Sequence, residues 1–390
     1  MPRRAVPAGP PTPLAEIVRA IVSIPSTSFL EQGVHAALRR FAEARGLAYR
    51  EVAGGNGVIE YRRGRGGRPL VLGAHTDHPG FVVTAVAGRR IDLEFRGGLS
   101  AAYGAAERLR LYAPDGADRG AAVATITAVR ASAPSPAGAR RIEGATARLA
   151  PGAAAAVGDL ALWDVDACRI RGQIVHARQC DDLIGVVAVL ATLDRMAASG
   201  ASGHVIGLFT RAEEVGLIGA AAVARAHALP AEALVVAVEC SSMAGGRAEQ
   251  GAGPIIRVGD IGHVFSPRVT MWMGQIAREL AAEDVTAGAE AFRYQRKLMD
   301  GGTTEATAYD LLGYETGAAC VALGNYHNAG PRGRVAAETV HLGDVDGLAR
   351  LFERMARDTR RVDAVHASAV RRWRAIGRDA VQRLRPGSDL

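Results

Sequence analysis

Apolar positions recur at helical spacing over residues 14–47, first in LAEIVRAIVSIPSTSF and then in EQGVHAALRRFAEARG. Pro25 and the run Ser26-Thr27-Ser28 interrupt the repeat and suit a loop followed by a fresh helix start. GVIEY (57–61) and LVLGA (70–74) read as strands. From Phe81 to about Val165 the character changes. Short alternating runs (FVVTAVAG, RIDLEFRGG, ERLRLYAPDG, AAVATITAVR) sit between glycine and proline signals, which predicts a small β domain or barrel. Residues 133–155 are rich in Ala, Pro and Gly and include a surface loop. After about residue 170 helical and strand patterns alternate. DDLIGVVAVLATLDRMAASG predicts a helix ending at Gly200, HVIGLFT a strand, and EVGLIGAAAVARAHA a helix. ALVVAVE and GAACVAL read as strands on either side of the helix VTMWMGQIARELAAE, and helices at about 343–358 and 363–384 close the chain. Strands joined by helical crossovers predict an α/β fold, a mostly parallel sheet with helices on both faces, interrupted by the β-rich insert.

Composition narrows this picture. Apolar residues make up 48% of the 390 and charged residues 22%, enough for a full core, which excludes a mostly disordered chain. No apolar run approaches the roughly 20 residues that span a bilayer. The start, MPRRAVPAGPPTP, has no apolar block after its arginines, so no secretory leader is expected. Four cysteines do not make a disulfide framework and read as reduced thiols of a cytoplasmic protein. The net charge is +7, and Lys297 is the single lysine. The cluster Arg360, Arg361, Arg371, Arg372 and Arg374 reads as a solvated helix face. Without aromatic–basic interleaving, neither a nucleic-acid nor a membrane partner is expected.

The chemistry collects at strand ends. LVLGA runs into His75 and Asp77; Asp181-Asp182 opens a helix; Glu213-Glu214 follows HVIGLFT; Glu239 ends ALVVAVE; His327 follows GAACVAL. Each has a bland explanation alone: Asp181 and Asp182 can cap their helix, and paired glutamates are usually solvated. Five strand ends each delivering a carboxylate or imidazole to one crevice have no such explanation. Two imidazoles and three carboxylates suit a pair of divalent cations of the zinc, cobalt or manganese type. One carboxylate must bridge, and Asp181 is assigned that place. His75 and Glu239 complete one ion, Glu214 and His327 the other. Glu213 remains free to take a proton from water. Asp77, two residues from His75 on extended chain, is placed to accept a hydrogen bond from that imidazole.

With these residues in view, the sequence resembles the co-catalytic dimetal aminopeptidases of the glutamyl and tetrahedral type, within the zinc exopeptidase superfamily. GAHTDHPGFVV (73–83), ARQCDDLIGVVAVL (177–190), GLFTRAEEVGLIGA (207–220), VVAVEC (235–240), DGGTTEA (300–306) and NYHNAG (325–330) carry the likeness, in order, over roughly residues 14–358. The resemblance implies metal ligands at His75, Asp181, Glu214, Glu239 and His327, a catalytic carboxylate at Glu213 and a histidine-orienting Asp77. It implies a three-layer α/β/α catalytic domain, residues 1–82 and 167–390, and an inserted β-barrel-like domain, residues 83–166, that serves assembly. Two divalent ions per subunit (zinc first, cobalt or manganese otherwise), a peptide substrate cut at its N-terminus and a homo-oligomer between dimer and dodecamer follow from the same likeness.

The chain departs from that pattern in places. The family more often has Asp at the position of Glu239, and Gly-Gly-Thr-Asp where this chain reads Gly-Gly-Thr-Thr-Glu. Gly301, Gly302 and Thr303 are expected to position substrate. Cys180 and Cys240, beside two of the ligands, read as buried packing residues. A related dimetal amidohydrolase, deacylase or carboxypeptidase-like enzyme is the alternative, and a non-catalytic scaffold on the same fold a third.

Overall fold

A computed structural model describes residues 10–64 and 67–384; the reading of no leader falls mostly on residues outside these. Helices α1 (Leu14–Val22) and α2 (Gln32–Ala44) lead into β1 (Ala48–Val52), β2 (Asn56–Arg63) and β3 (Leu70–His75). Six strands follow: β4 (Gly80–Ala87), β5 (Arg90–Arg96), β6 (Arg108–Tyr112), β7 (Asp118–Ala131), β8 (Ile142–Leu149) and β9 (Leu160–Trp163). Next come β10 (Cys168–Arg171), β11 (Ile174–Ala177), α3 (Leu183–Ser199), β12 (Gly203–Thr210), α4 (Ile218–Arg225) and β13 (Leu234–Ser242). The chain ends through β14 (Ile255–Gly259), α5 (Pro267–Thr286), β15 (Gln295–Leu298), α6 (Glu305–Leu311), β16 (Glu315–Leu323), β17 (Glu338–His341), α7 (Leu342–Asp358) and α8 (Val362–Ala380).

Eight strands form one sheet in the order β1-β2-β12-β3-β13-β16-β14-β15. β12, β3, β13 and β16 run parallel. β2 meets β12, and β14 meets β16, antiparallel. The mostly parallel sheet expected from the sequence therefore holds at the centre and gives way at both flanks. The edge strands β1 (AYREV) and β15 (QRKL) are largely exposed and polar, so they lack the apolar alternation that betrays a strand.

The period of two decides which side chains face which layer. Leu70, Leu72 and Ala74 of β3, with Leu234, Val236 and Val238 of β13, pack into one core with α1, α2, α3, α5 and α7. Val71 and Val235 point the other way, against Ala220, Val223 and Tyr309 of α4 and α6. Helices thus cover both faces, giving the α/β/α layers. α3 stops at Gly200, which adopts the left-handed conformation (φ 60°); a side chain there would be strained and would also strike Arg63.

The β-rich stretch is a closed barrel, β4-β5-β8-β7-β6-β9. Its core is separate, centred on Phe81, Ile91, Leu109 and Trp163. Phe81 and Trp163 meet edge to face with centroids 5.2 Å apart. Closure leaves the barrel no unpaired strand edge. One correction concerns the helix expected from Glu214: it starts at Ile218, because Gly216 (φ 121°) and Leu217 (φ 58°) turn the chain first. That turn leaves Glu213 and Glu214 on a loop.

Candidate metal centre

The carboxyl ends of the central parallel strands converge, as expected for an open α/β sheet. β3 ends at His75, and β12 runs out toward Glu213 and Glu214. β13 carries Glu239 near its end, on the same face as Val235 by the two-residue period. Asp181 follows β11, and His327 sits in a short turn after β16 with φ 53°. All six side chains meet in one place.

Two three-residue clusters stand out, each with potential ligand atoms within 4.8 Å of one another: His75, Asp181 and Glu239, and Asp181, Glu214 and His327. Asp181 belongs to both. Its Oδ1 lies 3.5 Å from His75 Nε2 and its Oδ2 lies 3.6 Å from His327 Nε2. Glu214 Oε1 is 3.2 Å from His327 Nε2, and Glu213 Oε2 is 3.9 Å from His75 Nε2. Further groupings join His75 with both glutamates, and Asp181 with Asp182 and Cys240. Each imidazole is oriented through its other nitrogen. His75 donates from Nδ1 to the Asp77 carbonyl at 3.1 Å, and His327 donates from Nδ1 to the Gly98 carbonyl at 2.6 Å. Both Nε2 atoms are thereby turned toward Asp181.

The Asp77 carboxylate stands 3.5 Å from His75 Nδ1, a pairing that, against burial, helps hold the Asp77 carboxyl low and the His75 imidazole up. The same nitrogen lies 3.1 Å from the Asp77 backbone carbonyl. The carboxylate accepts the amide N–H groups of Glu213 (3.0 Å) and Glu214 (3.2 Å) and the hydroxyl of Ser28 (2.6 Å). Asp77 therefore clamps the loop that carries both glutamates. Sequence spacing cannot reveal a partner 136 residues away.

Other supports carried no motif. Glu338, fully buried on β17, accepts the amides of Cys180 (2.7 Å) and Asp181 (3.1 Å). His78 donates to the Asp181 carbonyl at 2.6 Å. The one sequence signal for Glu338 is a carboxylate in the small, apolar run AAETV.

Burial sets the electrostatics. It pushes the Glu239 carboxyl up to about 8, with His75 and Arg257 pulling the other way, and raises Glu213 well above the ordinary carboxylate range. Burial acts in the same direction on Asp181, but the imidazoles of His327 and His75 beside it outweigh that and hold the group low. Burial also raises the thiols of Cys180 and Cys240, which keeps them protonated and poor as ligands. Asp181 Oδ1, Asp182 Oδ2, Glu214 Oε1 and Glu239 Oε1 are buried and accept no hydrogen bond. Crowded carboxylate oxygens without donors, beside two neutral-capable imidazoles, are a donor set that fits divalent cations of the nitrogen- and oxygen-binding kind.

A cavity of about 210 Å³ opens over these groups. Its lining also carries the loop residues Gly301, Gly302 and Thr303, with Arg247, Tyr326 and the strand residue Arg257. Arg257 is buried on β14 and donates to the Cys240 carbonyl (2.9 Å) and the Ser241 hydroxyl (2.7 Å). Neither arginine was singled out from the sequence, because an arginine in a strand or loop has no distinguishing spacing.

Comparison with known proteins gives a consistent result. The model of the M42 glutamyl aminopeptidase family matches residues 55–351. A TET1 peptidase of Pyrococcus horikoshii, described as assembling into a tetrahedron or a large octahedral shell, shares 22% identity. That match covers 89% of this chain and 100% of the other, with a TM-score of 0.68. An aminopeptidase from the archaeon Desulfurococcus kamchatkensis shares 20% identity over 88% of this chain and 94% of its own, TM-score 0.70. A TET aminopeptidase from a marine-sediment thaumarchaeote shares 18% identity over 90% and 99%, TM-score 0.71. These likenesses are to the fold. No curated protein matches the chain.

Proposed function

The chain belongs to the M42 glutamyl aminopeptidase family, a family of hydrolases acting on peptides, and from that premise we propose that it removes N-terminal residues from peptides with two divalent cations per subunit. His75, Asp181 and Glu239 would hold one ion; Asp181, Glu214 and His327 would hold the other, zinc being the first candidate and cobalt or manganese the others. Such a pair, when bound, supplies Lewis acidity and lowers the pKa of water. The observation that carries this reading is Asp181, whose two oxygens face two different imidazoles.

The chain's own residues do the rest. Glu213, which belongs to neither of the two ligand sets named above, suits a general base: a carboxylate oxygen takes a proton from the attacking water and returns it to the leaving nitrogen. Asp77 acts through the backbone, fixing the base and the neighbouring ligand Glu214 in one clamp. Gly301, Gly302 and Thr303 give substrate a wall to lie against, and the buried Arg257, with Arg247 shared with Asp300 at 3.3 Å, would favour an acidic N-terminal side chain there. The barrel, residues 83–166, is proposed as an inserted domain serving a homo-oligomer, in keeping with the assembled shells described for the P. horikoshii peptidase. Among the described residues no helix is long and apolar enough to cross a membrane. The four free thiols suit a reducing compartment, and the cytoplasm is the one proposed.

The test is an assay of the metal-loaded protein on aminoacyl chromogenic amides and their N-acylated counterparts. Cleavage of the free-amine substrates, fastest with an N-terminal glutamate or aspartate, is expected. Cleavage of only the blocked substrates overturns the aminopeptidase reading in favour of a dimetal amidohydrolase or deacylase.

A further inference from the structure

The Gly301–Thr304 part of the cavity lining belongs to no strand of the sheet and lies between β15 and α6. Gly301 and Gly302 are exposed, and glycine gives the segment little intrinsic stiffness. Something else must hold it beside the acidic groups. Asp260, just past the end of β14 and 5% exposed, sits where two loops touch.

Each oxygen of Asp260 holds one of those loops. Oδ1 accepts the amides of Gly262 and His263, both at 2.9 Å, closing its own turn. Oδ2 accepts the Thr304 amide (2.8 Å), the Thr304 hydroxyl (3.3 Å) and the Thr307 hydroxyl (2.7 Å), tying down the start of α6. A single backbone bond, Ile261 N–H to the Gly302 carbonyl at 3.2 Å, adds to the join. The same strand carries Arg257, so the cationic part of the wall and its glycine part share one anchor.

We propose that Asp260 is a positioning residue for substrate: it pins the Gly301–Thr304 wall at the distance from the acidic cluster that lets the cavity grip the N-terminal residue. This rests on the peptidase reading above and adds a residue that touches neither substrate nor ligands. An amide cannot replace it. One oxygen of an asparagine could accept, but its NH₂ would face the N–H groups of the other loop. Losing one set of bonds releases the wall while the acidic groups, carried by other strands, stay in place.

Steady-state kinetics of the metal-loaded holoenzyme on aminoacyl amides test this, with metal content and amide hydrogen exchange measured on the same preparations. Asp260→Asn is expected to raise KM by about 10-fold, the scale of one or two lost hydrogen bonds to a charged group, with kcat within about 3-fold and metal content unchanged. Exchange at Gly262, His263 or Thr304 should quicken. Thr307→Val, which deletes one bond and keeps the carboxylate, should raise KM less and serves if Asp260→Asn does not fold. If the wild type cleaves only N-acylated amides, the aminopeptidase reading fails, and the same comparison is run on that amide. An unchanged KM in the folded variants, a fall in kcat alone, or a loss of metal overturns the proposal.

Discussion

The two walls of the cavity are made differently. The acidic wall gathers at one end of a buried parallel sheet, with His75 and Glu239 on its strands and Asp181, Glu213, Glu214 and His327 on short connections beside them. Its oxygens outnumber the donors that reach them. The other wall is mostly loop, with exposed glycines, the exposed Arg247 and the buried Arg257 of β14, and its positions are set by side chains such as Asp260. Rigid strands suit groups that must stay within reach of small cations, since small errors in geometry are costly there. Loops suit recognition, where the shape of the side chain accepted has to vary without disturbing the chemistry. Damage to the acidic wall should therefore appear in turnover or metal content, and damage to the loop wall in KM.

The largest effect belongs to the acidic wall. Glu213→Gln should keep its metal and lose at least ~100-fold in kcat, the range for a general base. Near-normal turnover would remove Glu213 from that role. His327→Ala comes next: elemental analysis should find about one ion fewer per chain, since the ion assigned to Asp181, Glu214 and His327 then lacks a ligand it needs. On the other wall, Arg247→Ala should raise KM for a glutamyl amide by only about 3-fold and leave a leucyl amide nearly unchanged, because the side chain sits at the rim, 46% exposed. An equal change for both substrates would break the link between the cationic rim and acidic residues.

The smallest effect on catalysis lies behind the acidic wall. His35 is buried against the hydroxyls of Tyr49 (2.8 Å) and Thr76, and burial lowers its pKa to about 4, with Arg211 and Arg39 adding to the effect. The folded protein thus binds this proton less readily than the unfolded chain. Stability should fall as pH drops from about 6.5, the ordinary histidine value, toward about 4. Urea unfolding at pH 7 and pH 5 measures this, and His35→Gln should flatten the difference.

What the sequence made legible follows the same division. Helices α3, α5 and α7, strands β3, β12, β13 and β16 and the six-stranded barrel could be read because their apolar periods are strong. His75, Asp181, Glu213, Glu214, Glu239 and His327 could be read because each lies at the end of such an element. Asp77 is legible beside His75 but not in its other contacts, the amides of a loop far along the chain. Asp260 and Arg257 left no trace, and Glu338 only a carboxylate in a small, apolar run, since their meaning arises from contacts between distant segments and not from spacing. The flanking strands β1 and β15 were missed for a related reason: exposed polar edges carry no period.

The shared ligand Asp181 is the point on which the dimetal centre turns, and counting ions by elemental analysis of the reconstituted protein tests it directly. A bridging carboxylate predicts two ions per chain in the wild type and a loss of affinity at both positions in Asp181→Asn. A wild type that saturates at one ion, or an Asp181→Asn protein that keeps both with unchanged affinity, would contradict it.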